Sequence, residues 1–120
     1  MRGEKKMKIE KSSNISISPV NVEGAKDVGI RWLISKEDGA KNFAMRMFEL
    51  QPGGHTPLHT HPQEHEVFIL EGEGTFVYEG QEHRFDAEHV VFVPPNKEHQ
   101  FKNTGHSLLR MLCIIPTSVS

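Results

Sequence analysis

The apolar positions of this chain fall in short runs, many of them alternating with polar residues, and Gly, Pro, Asn and Asp break the runs every few positions. After a polar lead-in through Asn14, strand-like runs are predicted at 15–22, 28–35, 43–50, 66–71, 75–79, 82–85, 89–93, 99–103 and 108–115. Turn signals separate them at 37–39, 52–54, 72–74, 79–80, 94–96 and 103–105. Many short strands with frequent turns predict an all-β sandwich or barrel. Nothing in the pattern supports a long amphipathic helix, and at most a helical turn is expected at 24–27 or 36–41.

Some runs are apolar at both parities. Phe43, Met45 and Met47 alternate with Ala44 and Phe48, and Val67 and Ile69 with Phe68 and Leu70. Strands of this kind are covered on both faces. Two covers are open to the chain: a second copy, giving a homodimer through one sheet, or its own N-terminal strands folded over that face.

At 120 residues the chain has material for one core, so a single domain is expected over 15–120, preceded by a flexible segment over 1–14 in which Met7 is an alternative start. The 14 basic and 16 acidic residues are scattered without blocks, which argues against a nucleic-acid partner or an anionic-membrane patch. Apolar runs such as 67–70 and 108–115 fall short of the roughly 18 to 20 residues of a membrane span. A lone cysteine, Cys113, and a charged N-terminus with no apolar run behind it point to a cytoplasmic protein.

Histidine changes the picture. In the stretch PGGHTPLHTHPQEHEVFILEGEG, His59 and His61 are one residue apart, so in extended chain both rings leave the same face and can grip one ion. His65 follows a Pro-Gln-Glu bend, and His99 stands far away in sequence at the start of another strand, on one face with Phe101. Two or three ligands from one hairpin and one from a distant strand would close a sheet around a metal.

These residues resemble the cupin family. Gly53, five residues, His59-Thr60-His61, three residues, His65, six residues and Gly72 resemble its first motif, with His65 where a glutamate is usual. Glu88, five residues, Pro94, Asn96, His99 and Asn103 resemble its second, although Glu88 and Asn96 stand where glycine is usual. Asn tolerates the left-handed conformation such a turn needs, whereas Glu88 implies a turn that does not need a positive φ. The resemblance covers about residues 42–115 and looks most like small single-domain cupins that bind manganese through four histidines. It implies a double-stranded β-helix, or jelly-roll barrel, with the metal in its mouth.

For the third ligand the family spacing admits either His65 or Glu66, and the distance to Gly72 favours His65. The metal set implied is therefore His59, His61, His65 and His99, with Glu66 the alternative. One divalent ion is expected: manganese by resemblance, with iron, zinc, nickel and copper also suited to imidazole. Four neutral ligands in an octahedral site leave two positions for a small-molecule ligand. Cys113 and Met111 are opposite in parity to Arg110 and so face the interior, where with Phe101 they line a pocket. The expected function is a metal-dependent oxidoreductase of the dioxygenase type acting on a small organic substrate. Alternatives are a binding cupin without turnover, a metal-assisted sugar isomerase or epimerase using Glu66 or another histidine as base, and a metal that only staples the barrel.

Overall fold

A computed structural model describes residues 7–119. The choice between Met1 and Met7 as start, and the first six residues of the expected flexible segment, lie outside the described residues. The described residues form nine strands: β1 (Ser18–Pro19), β2 (Lys26–Ile34), β3 (Phe43–His55), β4 (His65–Glu71), β5 (Glu73–Tyr78), β6 (Gln81–Asp86), β7 (Val90–Val93), β8 (His99–Lys102) and β9 (Leu109–Pro116). Among the described residues, helical structure is confined to 3-10 turns at Ser12–Asn14, Lys36–Asp38 and Thr117–Val119. Among the described residues, no helix is long and apolar enough to cross a membrane.

The strands form an all-β jelly roll. Their order is β6-β5-β8-β3-β9-β4-β7, with β2 on β3 and β1 on β2. β3 is the strand both halves share: its first part pairs with β2 and β9, and its last residue, His55, pairs with Lys102 of β8. The turn expected at 52–54 is instead a bulge within β3, where Lys26 opposes His55 and Val28 opposes Leu50. The backbone groups there keep partners, since Gly53 N–H donates to Asn103 O at 3.1 Å and Asn103 N–H to Gly54 O at 2.9 Å. That bulge turns the chain from one sheet into the other.

Register assigns the faces. Ala44, Arg46, Phe48 and Leu50 oppose Ile115, Cys113, Met111 and Leu109, and Val67 and Ile69 oppose Cys113 and Met111, so these side chains share the inner face. Leu50, Ile69, Leu109 and Met111 are the largest fully buried side chains of this set and form the core with Val67, Phe76, Phe85 and Phe101. At about 25 cal/mol per Å² of apolar surface removed from water, this packing is the main stabiliser of the barrel.

Other boundaries also differ from the sequence reading. Strand over 15–22 shrinks to Ser18–Pro19, and the break at 72–74 narrows to Gly72, because β5 begins at Glu73. Gly72 has φ +91, and a Cβ there would stand 2.5 Å from Leu108 O, so glycine is required. Glu88 is a correction: its φ is 75, so this turn does need a positive φ and holds it without glycine. Asn96, at φ 64, takes the left-handed conformation its side chain tolerates. Because a side chain at positive φ is strained by about 1 kcal/mol, Glu88→Gly is expected to raise stability by about 0.5–1 kcal/mol. An upward shift of the urea midpoint at constant slope is the reading that supports it.

Candidate metal centre

His59 precedes β4 and His99 opens β8, and the two are joined by an isolated antiparallel bridge, with His59 N–H donating to His99 O at 3.2 Å and His99 N–H to His59 O at 3.0 Å. Asn96 N–H donates to His61 O at 2.8 Å, tying the Pro-Pro-Asn turn to the first histidine segment. Backbone pairing thus brings together side chains nearly forty positions apart. The ring nitrogens of His59, His61 and His99 lie within 4.8 Å of one another. His59 is exposed at the rim, His61 half-buried and His99 buried.

His65 is also on the cavity side, but it does not converge with the trio. Its ring stacks on His61, with centroids 4.2 Å apart and planes at 23°, and stands 6.3 Å from His99. Glu66, one residue on, is exposed and pairs with Ile114 and Phe92 on the opposite face, so its carboxylate is directed away from the histidines.

Imidazole tautomers test whether a metal fits. The Nδ1 of His61 lies 2.7 Å from Gln63 O and that of His99 2.9 Å from Lys97 O, so each Nδ1 carries the hydrogen and donates it. In the neutral ring each Nε2 is then a bare lone pair, and the two Nε2 atoms face each other at 3.2 Å. Two acceptors cannot bond to each other, whereas a shared cation at a metal–nitrogen distance of about 2.1 Å separates its ligand nitrogens by roughly 3.0–3.4 Å. The donor set therefore fits a divalent ion, and the backbone carbonyls orient the rings for it.

The electrostatics agree. Burial, then the neighbouring His99 and His61, lower the His59 pKa to about 4. For His65, burial, then the charge of Arg46, then the other imidazoles, lower it to about 3. Burial also lowers His99, against the opposing effect of its bond to Lys97. All three stay neutral near pH 7, which is the ligating form.

His59, His65 and His99 border an open cavity of about 910 Å³ whose walls include Val28, Phe48, Val67, Phe101, Met111 and Cys113. Phe101, Met111 and Cys113 are therefore placed around the same space as His59, His65 and His99. Phe101 packs on Phe76 with centroids 4.7 Å apart. Burial raises the Cys113 pKa, against the charge of Arg46, so it remains a thiol. Two further residues of this wall stand outside the motif reading. His55 lies within 3.4 Å of Gln100 Nε2, and Arg46 extends from the inner face of β3. The signal for Arg46 was its parity with Ala44, Phe48 and Leu50 in an otherwise apolar run.

Comparison with known proteins adds to this geometry. The family model described as a cupin domain matches residues 46–115. The chain is 34% identical over 113 residues to an oxalate-binding protein of Thermotoga maritima, covering 89% of this chain and 92% of that protein. Among solved structures it is similar to the polyketide cyclase RemF from Streptomyces resistomycificus, with a TM-score of 0.89, 32% identity, and coverage of 93% of this chain and 80% of that one. It is also similar to a predicted oxalate decarboxylase from Thermotoga maritima, with a TM-score of 0.82, 31% identity, and coverage of 91% and 98%.

Proposed function

The chain belongs to the cupin family, and from that premise we propose that it is a single-domain, cytoplasmic, metal-dependent oxidoreductase of the dioxygenase type, acting on a small organic molecule. The observation that carries this reading is the pair of Nε2 atoms of His61 and His99 facing each other at 3.2 Å, with His99 on the wall of an apolar cavity. His59 joins them at the rim. His65 completes a four-histidine set by turning out of its stack on His61. Manganese is the ion favoured by the family resemblance, and iron, zinc, nickel or copper suits the same nitrogens. When bound, such an ion supplies Lewis-acid polarisation and, for manganese or iron, one-electron chemistry toward dioxygen. Gln63 O and Lys97 O hold the ring tautomers, while Phe101, Met111 and Val67 keep water from the inner wall.

Elemental analysis of protein purified without added metal tests the centre. Anaerobic spectroscopy of the iron(II)- or manganese(II)-loaded protein with nitric oxide as oxygen mimic tests its open positions, and a spectrum indifferent to nitric oxide would end the dioxygenase reading.

A second reading is a binding protein without turnover, favoured by the similarity to an oxalate-binding protein over nearly the full length of both chains. Aerobic incubation of the loaded protein with oxalate, followed by mass spectrometry, separates the two: oxalate bound and recovered unchanged supports this second reading. The isomerase reading loses its Glu66 base, because that residue is exposed on the other face of the sheet.

The homodimer belongs to the same proposal. β1 and β2 extend the sheet beyond β3 and do not cover the outer face of β4, β7 and β9, where Phe68 is 40%, Phe92 57% and Val90 74% exposed. A second copy seated on this apolar face accounts for the sheet's two-sided composition. Phe92→Glu is expected to shift the species seen by light scattering from dimer to monomer without changing metal content, and a wild-type monomer at all concentrations would refute the dimer.

A further inference from the structure

Of the arginines on this sheet, Arg84 is exposed to solvent on β6, while Arg31 and Arg110 find carboxylates, at 3.0 Å from Glu49 and 3.0 Å from Glu71. Arg46 has no ion-pair partner among the described residues. Its Cζ lies 4.8 Å from the centre of the Phe48 ring and 5.6 Å from that of Trp32, contacts that favour a cation but do not neutralise it. The acceptor seen for its side chain is Cys113 Sγ, 3.0 Å from Nη2, and its buried Nε has none. Because burial holds Cys113 as a thiol, that contact supplies no counter-charge. The one carboxylate bordering the same cavity, Glu23, is on the exposed turn before β2 and makes no ion pair with Arg46.

An unpaired guanidinium in an apolar cavity is costly unless an anion completes it. Placement says where such an anion would sit. Arg46, Cys113 and Val67 lie on one rung across β3, β9 and β4, and His65 is two residues from Val67 along β4. Neighbouring strands are about 4.8 Å apart and two residues span about 6.8 Å, so the long Arg46 side chain acts within the space the histidines border. Its charge is second only to burial in lowering the His65 pKa.

We propose that Arg46 is the anion-binding residue of this cavity, and that the ligand is an organic carboxylate with an apolar body, its carboxylate on the guanidinium and its body along Phe48, Phe101 and Met111. This rests on reading the cavity as the ligand site and deepens it by naming the ligand class. The planar fork of arginine matches a carboxylate through two N–H donors, a geometry that lysine lacks.

The test uses zinc-loaded and metal-free full-length protein, with phenylacetate as probe and phenylacetamide as its neutral counterpart. Phenylacetate is expected to move the Arg46 guanidinium resonances in the nuclear magnetic resonance spectrum, and phenylacetamide to leave them in place. In R46Q the calorimetric affinity for phenylacetate should fall roughly 10- to 100-fold, the loss expected for a hydrogen-bonded charge pair, and R46K should recover only part of it. Zinc affinity should be unchanged in R46K, which keeps the positive charge beside the histidines. Unmoved Arg46 resonances, or equal affinities for the acid and the amide, would overturn the proposal. If R46Q fails to fold, the wild-type spectra decide. Zinc that does not bind while phenylacetate still moves Arg46 would remove the metal reading and leave the anion site standing, and the converse result would do the opposite.

Discussion

Replacing His99 by alanine is expected to lower divalent-metal affinity by more than about 100-fold, exceeding the 10- to 100-fold typical of groups that merely orient a ligand. Three features make this position the most sensitive. His99 is buried at 3% exposure, its Nδ1 is committed to Lys97 O, and its Nε2 faces that of His61 at 3.2 Å. Removing the ring takes away one ligand and the lone pair that makes the His61 orientation unfavourable without a cation. The fold should survive, because the core around Leu50, Ile69 and Leu109 does not include the ring. Zinc or manganese titration calorimetry reads the affinity, and circular dichroism with and without chelator reads the fold. Equal affinity in wild type and H99A would refute the centre, and unfolding on chelation would make the metal a structural staple. His65→Ala should cost less, about tenfold, since its ring must first leave its stack on His61.

Much of this was legible in the chain. The Cβ alternation of a strand placed His99 with Phe101 and Met111 with Cys113 on one face, because each of those runs has a polar or charged residue at the other parity. β3 was harder. With apolar residues at both parities, period two does not say which face is inner, and so does not place Arg46 on the inner face that it shares with Ala44, Phe48 and Leu50. Pro52-Gly53-Gly54 carries every mark of a turn, yet the partners that make it a bulge come from Asn103, fifty residues away. Local composition cannot report a partner that distant. The same holds for His65: spacing puts it on the cavity side, but the stack on His61 depends on side-chain rotation, which no spacing encodes.

Asn103→Ala is expected to destabilise the fold by about 2–4 kcal/mol, against a total of about 5–15 kcal/mol for a domain of this size. The side chain is 2% exposed, and its amide donates to Leu50 O at 2.8 Å and Ser107 O at 2.9 Å while its oxygen accepts from Gly105 N–H at 3.0 Å. Alanine leaves those backbone groups to find other partners in a closed space, where an unsatisfied polar group costs about 1–3 kcal/mol. Asn103→Asp should be at least as harmful, since it places a carboxylate against two carbonyl oxygens that need a donor. The loss should reach the histidines as well. Asn103 also holds the Gly53–Gly54 bulge through two backbone bonds, and that bulge starts the segment carrying His59 and His61. Metal affinity should therefore fall modestly, by about tenfold, as the segment loosens. The two alanine variants make opposite demands: H99A should lose the metal and keep its denaturation midpoint, whereas N103A should lose the midpoint and keep most of the metal. If both variants lost stability and metal together, the metal would be holding the barrel closed, and the separation between a self-sufficient core and a functional rim would be wrong.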